Sequence, residues 1–235
     1  MGELHTDLYC SPPEFACAPE VWSGFGTRKL TLPVLEKEAE FRNMRGVFLD
    51  QEHSDSFHIL IDLPSGDPLA GDALITDRRG ILLVIRTADC LPVLLSDPER
   101  GVVAAVHCGW RGTAAEILPK VVRSLQKEFG SLPSDLTAAL GPSIAHACYE
   151  VGAEVRSAFA EKGYPEDVLL PLRDAPGKYH FDLRAANRYQ LGEAGLEEAK
   201  IFSISCCTHC EKNLYSYRRD AQKAGRLLNF IGRCP

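Results

Sequence analysis

The chain has 235 residues, 45% of them hydrophobic and 25% charged, and a formal net charge of −6. That length can bury a sizeable core, and the composition is that of a soluble globular protein. The acidic balance, with no block of like charge, argues against a nucleic-acid partner, and no stretch approaches the roughly 18 apolar residues of a membrane span.

The opening segment, MGELHTDLYCSPPEF, has neither a basic n-region nor an apolar h-region, which predicts a cytoplasmic protein. Short β-rich runs then dominate the first half, at residues 46–50, 57–63, 73–76, 81–86, 92–96 and 102–107. After GWRG the pattern changes. Residues 113–129 carry apolar side chains at helical spacing (Ile117, Val121, Val122, Leu125, Phe129), with Gly130 placed as a C-cap. Residues 136–140 read as a strand, and 151–162 and 183–194 as helices, the second N-capped by Asp182 and followed by Gly195. Late strands are expected at 201–206 and 227–231. Linker-like stretches are short, at 64–71, 131–135 and 171–177, so one domain spanning 1–235 is expected, of α/β or α+β class.

Nine cysteines is a high and odd number, and they sit inside apolar runs as often as in loops. That pattern favours reduced, buried or metal-binding thiols over a disulfide framework. In RTADCLPVLLSDPERGVVAAVHCGWRG, Cys90 and His107 stand where two apolar strand runs end. A third candidate ligand lies upstream at His53 or His58, which spacing alone does not separate. One thiolate and two neutral imidazoles would leave a tetrahedral ion one open position, the arrangement of a catalytic site. The plainer alternative makes Cys90 a small core residue and His107 a satisfied strand-end histidine.

Arg111 in GWRG falls near the start of the next helix, where a guanidinium can help hold an anion or merely cap a turn. CCTHC at 206–210 contains a C-x-x-C, but no second such pair completes a zinc ribbon and no thioredoxin-like strand and helix flank it. Arg218 and Arg219 in SYRRD can bind an anion or pair with Asp220. Walker A, G-x-G-x-x-G, G-x-S-x-G and H-E-x-x-H motifs are absent.

These residues resemble one family, the zinc-dependent purine nucleoside phosphorylases formerly known as laccase-domain or polyphenol-oxidase proteins. The likeness runs from about Gly24 to Gly232, through GFGTR, LDQEHS, GDALIT, RTADCLPVLLSDP, VAAVHCGWRG, GPSIAHACYEVG, FDL with Asn187, CTHC, and YSYRRD followed by GR. The resemblance implies a single α/β domain, a mixed sheet flanked by helices, and a shallow metal-containing pocket. It selects His53, Cys90 and His107 as ligands of Zn2+, and places Arg28 of GFGTR near the pocket. It also implies phosphate-dependent cleavage of adenosine, inosine, guanosine and 5′-methylthioadenosine, with adenosine deamination alongside. Purine nucleosides and phosphate are then the expected partners, and Arg28 and Arg111 the expected anion contacts.

The chain departs from the family pattern in three places. TRKLTLP replaces T-R-x-G-G, and the segment from Arg28 to His53 is short; QEHS replaces Q-V-H-G; and Cys108 replaces an alanine. As a strand neighbour of His107, Cys108 is expected to point away from the metal. Two rival readings stand beside this one. A copper-dependent polyphenol oxidase needs many histidines, and seven scattered ones without H-x-H pairs do not supply them. A non-enzymatic zinc protein would instead need a fourth protein ligand.

Overall fold

The computed structural model describes residues 7–12, 15, 20–160 and 162–235. The targeting reading of the N-terminal segment and the far end of the helix expected at 151–162 therefore fall partly outside the described residues. The strands are, in chain order, β1 (Tyr9–Cys10), β2 (Val21–Gly26), β3 (Arg45–Asp50), β4 (Phe57–Ile59) and β5 (Leu69–Ala70). They continue with β6 (Ala73–Thr76), β7 (Ile81–Thr87), β8 (Leu91–Asp97), β9 (Val102–Cys108) and β10 (Thr137–Leu140). The last are β11 (Glu150–Val151), β12 (Leu169–Pro171), β13 (Tyr179–Phe181), β14 (Ile201–Ser203) and β15 (Leu227–Arg233). The helices are α1 (Leu32–Phe41), α2 (Trp110–Ala114), α3 (Ile117–Phe129), α4 (Ala153–Phe159), α5 (Leu183–Glu193) and α6 (Tyr217–Asp220).

Two six-stranded mixed sheets, ordered β1-β2-β15-β7-β3-β5 and β14-β10-β8-β9-β6-β4, pack face to face. The expected mixed sheet flanked by helices is present, doubled. Alternation along β9 shows why the sheets stack: Val103 and Ala105 face the other sheet, while Val102, Ala104, Val106 and Cys108 face the helices. The inter-sheet layer is filled by Phe25, Leu83, Ile85 and Ile231 from one sheet and Leu74, Leu94 and Ala139 from the other. Helices α3, α4 and α5 cover the outer face of the second sheet, and α1 packs on the outer face of the first against Leu82, Val84 and Phe230. A three-stranded sheet, β11-β13-β12, sits beside α4.

The helix expected over 113–129 is two helices. Glu116 adopts a left-handed conformation (φ 64°) between α2 and α3. Pro119 explains the break: an uninterrupted helix would press its ring against the carbonyl of Ala115, and it has no N–H to donate there. Gly130 does close α3, at φ 71°, and the Asp182 carboxylate caps α5 by accepting from the backbone N–H of Ala185 at 2.8 Å. The strand expected at 57–63 ends at Ile59, and that at 201–206 ends at Ser203.

Candidate active site

The ends of β3, β7 and β9 and the start of β8 meet at one edge of the sandwich, because β9 runs antiparallel to β8 with His107 opposite Pro92. His53 follows β3, Cys90 precedes β8, and His107 lies on β9. Their donor atoms lie within 4.8 Å of one another, so the three can hold a metal ion. The two imidazole rings meet edge to face, with centroids 4.9 Å apart. His58, the alternative by spacing, is turned elsewhere, its Nε2 2.7 Å from the carbonyl of Ala70.

Asp72, the aspartate of GDALIT, is fully buried and organises this cluster. Its Oδ1 accepts from the His53 backbone N–H at 3.1 Å and from His107 Nδ1–H at 2.6 Å. Its Oδ2 accepts from the N–H groups of Glu52 (3.3 Å) and Ser54 (2.6 Å) and from the Ser54 hydroxyl (2.8 Å). A carboxylate on Nδ1 leaves His107 Nε2 as the lone-pair donor, the usual carboxylate–histidine support for a metal ligand. Burial disfavours the charged forms of Cys90 and His107, yet their mutual attraction prevails. The Cys90 thiol is lowered by His107 and His53, and the His107 imidazole is raised by Cys90 and Asp72. The donor set thus fits a metal: an ionisable sulfur, two imidazoles, and one of them oriented from behind.

Backbone conformation serves the same end. His53 and Asp89 adopt φ of 60° and 88°, a region that disfavours non-glycine residues and is found where surrounding contacts enforce it. For His53 the enforcing contacts are those to Asp72. For Asp89 they are the Thr208 hydroxyl and the Arg218 backbone N–H, each donating to its carboxylate at 2.6 Å. Gly109 leaves room for the ligands: a Cβ there would lie 2.9 Å from His53 Cδ2 and 3.3 Å from Cys90 Sγ.

The cluster opens into a cavity of about 530 Å³. Arg86, Arg111, Arg218 and Arg226 line it, together with the aromatic groups of Trp110, Tyr149 and Tyr217. Arg111 stacks on Trp110 (4.3 Å to the ring centroid) and Arg218 lies over Tyr149 (5.4 Å). Burial and the Cys90 sulfur raise the Tyr149 phenol, which keeps it a hydroxyl donor at neutral pH.

A family model described as multi-copper polyphenol oxidoreductase laccase matches residues 32–234. The chain belongs to this family. Among relatives, a purine nucleoside phosphorylase of Deinococcus radiodurans is 44% identical over 162 residues, 69% of this chain and 61% of that protein. One of Bacteroides thetaiotaomicron is 41% identical over 161 residues, 68% of this chain and 60% of that protein. A protein named adenosine deaminase RL5, from an unknown prokaryotic organism, is 40% identical over 163 residues, covering 69% and 62%. The chain thus spans about three fifths of the length of these relatives. The crystal structure of YlmD from Geobacillus stearothermophilus superposes with a TM-score of 0.87 at 30% identity, covering 100% of this chain and 99% of that one. That of the Bacillus licheniformis hypothetical protein YfiH gives 0.89 at 30% identity, covering 99% and 98%.

Within this family member, the structure brings His53, Cys90, His107 and Arg111 to one cavity, and does not bring Arg28 to its lining. The Arg28 guanidinium binds Asp220 Oδ2 at 2.8 Å and the Leu214 carbonyl at 3.0 Å, and stacks on Tyr215. The two arginines of SYRRD divide: Arg219 is held by Asp220 and by the carbonyls of Thr208, His209 and Leu214, whereas Arg218 faces the cavity. Cys108 points away into the helix-side core, as its place beside His107 on a strand requires. Ser54, one of the unusual residues of QEHS, is a working part of the Asp72 network. Asp72, Trp110, Tyr149, Tyr217 and Arg226 were not singled out from sequence; Asp72 showed only as part of GDALIT, directly before a strand that proves wholly buried.

Among the described residues, no helix is long and apolar enough to cross a membrane.

Proposed function

We propose that this protein is a purine nucleoside phosphorylase. It cleaves adenosine, inosine, guanosine and 5′-methylthioadenosine with phosphate, giving the purine base and ribose 1-phosphate or its methylthio analogue. Adenosine deamination accompanies this activity, and the cytoplasm is the compartment in which both would act. The carrying observation is one cavity with a His/Cys/His cluster and four arginines on its walls. Its volume suits a ligand of nucleoside size, and the arginines suit an oxyanion. The names of the relatives support the same reading.

In this proposal His53, Cys90 and His107 hold Zn2+, which when bound supplies a positive centre for orienting an anionic oxygen or a water. Arg111 and Arg218 hold phosphate, whose oxygen forms a bond to the anomeric carbon as the bond to the purine nitrogen breaks. The purine leaves with that electron pair and takes up a proton; the phenol hydroxyls of Tyr149 and Tyr217 lie on the wall as hydrogen-bond donors to it. Trp110 and Tyr217 offer aromatic faces for the base. Arg28 works at one remove, fixing Asp220 and the Leu214 carbonyl behind Arg218. All these groups rest on shared cores, which supports reading 1–235 as one domain.

The family's description favours a second reading, a copper-dependent phenol oxidase. Seven histidines, of which two join the cluster, are few for several coppers. Stoichiometric copper together with oxygen uptake on phenols would establish it instead. The test of the first reading is zinc-loaded protein with adenosine, with and without phosphate, its products separated by chromatography. Adenine formed only with phosphate is expected, and no turnover in either condition overturns the proposal. Cys90→Ala is expected to lose the zinc held with His53 and His107, and both activities. Full phosphorolysis by metal-free protein would refute the metal's role.

A further inference from the structure

A second cluster of soft ligands lies outside the cavity. Cys148, in the short helix at His146–Cys148, meets the CTHC loop that follows β14. The ligand atoms of Cys148, His209 and Cys210 lie within 4.8 Å of one another, and the sulfurs of Cys148 and Cys210 are 3.5 Å apart. Cys207, the first cysteine of the same C-x-x-C, lies beside this group, its sulfur 3.3 Å from the backbone N of Ala145. The partner that the single C-x-x-C lacks in sequence thus arrives from 59 positions upstream, and spacing along the chain gives no hint of it.

The backbone N–H of Ala145 donates to the Cys207 sulfur at 3.3 Å, joining this loop to the segment that carries Cys148. N–H groups directed at a sulfur stabilise the thiolate form, which is the form that binds a metal. Two thiols and an imidazole within ligand reach of one another, with a third thiol beside them in the same loop, supply the donor types of a four-coordinate structural zinc site.

We propose that Cys148, Cys207, His209 and Cys210 form a second metal site, binding one Zn2+-class ion in a structural role. The ion would staple the segment bearing Tyr149 to the loop that bears Thr208. Tyr149 lines the cavity, and Thr208 holds the strained Asp89. The site therefore fixes the part of the cavity wall that carries Tyr149 and Asp89, and it stands whether or not the nucleoside reading does.

The test uses full-length protein prepared under reductant and titrated with Co2+ in a Cys90→Ser background, which removes the first cluster's sulfur. Intense sulfur-to-cobalt charge-transfer absorption at one equivalent is expected, and its loss in Cys90→Ser/Cys148→Ser and Cys90→Ser/Cys210→Ser. Circular dichroism confirms that these variants are folded. In the unmodified protein reconstituted with Zn2+, two ions per chain are expected, falling to one with Cys148→Ser. Three results would each overturn the proposal: no thiolate–cobalt absorption in Cys90→Ser, a zinc content of one unaffected by Cys148→Ser, or a Cys148–Cys210 disulfide found by peptide mapping of reduced, metal-reconstituted protein. If a Ser variant fails to fold, protection of Cys148 and Cys210 from alkylation by Zn2+ in the Cys90→Ser protein decides the matter, because unchanged alkylation refutes the site.

Discussion

Replacing Asp72 with Asn keeps the shape of the side chain and removes its capacity to accept on both sides. In the native protein one oxygen faces the His53 N–H and His107 Nδ1, and the other faces the N–H groups of Glu52 and Ser54 and the Ser54 hydroxyl. Whichever way the amide is placed, its NH2 confronts at least two donors. The Ser54 hydroxyl can turn to accept; a backbone N–H cannot. Hydrogen bonds to charged groups contribute roughly 1.5–3 kcal/mol each, so losing two costs about 3–6 kcal/mol of stability. Alternatively the amide flips and His107 takes up the other tautomer, placing a proton on the nitrogen needed for the metal. Removing such outer support typically weakens metal binding about 10- to 100-fold.

The same substitution changes the acid limb. In metal-free protein, burial of the Asp72 carboxylate opposes ionisation, but hydrogen bonds from His107 and Ser54 hold it at about 2, below its ordinary 3.8. The unfolded chain therefore binds the extra proton between these values. The resulting stabilisation, about 2 kcal/mol, is complete above roughly pH 4 and lost as pH falls through about 2. Urea unfolding between pH 2 and 7 and metal competition against a chromophoric chelator measure both effects. Asp72→Asn protein within about 1 kcal/mol of native stability, and binding metal within a factor of about two, would refute this account of the network.

Gly109→Ala places a methyl 2.9 Å from His53 Cδ2 and 3.3 Å from Cys90 Sγ. It is expected to cost about 1–3 kcal/mol of stability and to weaken metal binding, both read by thermal unfolding with and without metal; unchanged affinity would show that the ligands yield freely. Arg218→Ala leaves the backbone N–H to Asp89 intact and removes one cation from the cavity, so KM for phosphate should rise about ten- to a hundredfold with metal content unchanged. An unchanged phosphate dependence removes Arg218 from the anion site. Asn187, fully buried, donates to the Thr113 hydroxyl at 3.0 Å and the Leu183 carbonyl at 2.7 Å, fastening α5 to α2. Asn187→Ala should cost about 1–3 kcal/mol in denaturant unfolding without changing metal stoichiometry, since it strands buried partners away from the metal cluster.

The strands from β6 to β9 were legible because their residues are buried on both faces and read as continuous apolar runs. That such runs form two stacked sheets was not legible, since nothing local distinguishes the inter-sheet face of β9 from its helix face when both are apolar. Strand β2 and helix α1 were not legible: WSGFG carries two glycines, and α1 buries only Leu35 and Ala39. Cys90 and His107 announced themselves as polar ends of apolar runs, while choosing His53 over His58 required the family resemblance. Arg28 was the reverse case. Its motif marked it as functional, but tertiary contacts with Asp220 and Leu214 engage its guanidinium away from the cavity.

Two carboxylates divide the organisation of the site between them. Asp72 gathers the backbone around His53 and orients His107, so it sets the metal side. Asp89, immediately before Cys90, ties the Thr208 hydroxyl and the start of α6, so it sets the side where Arg218 stands. Cys90 is the hinge between these halves: its sulfur belongs to the first and its preceding residue to the second. Neither carboxylate lies at a sequence spacing that predicts its partners, which are contributed by four separated chain segments. The strain at His53 and Asp89 is therefore offset only when those segments are docked, and the metal cluster and the arginine wall should form in the same folding transition. A site assembled this way is preorganised to hold an anion beside the His/Cys/His cluster, which is what the proposed phosphorolysis would require of it.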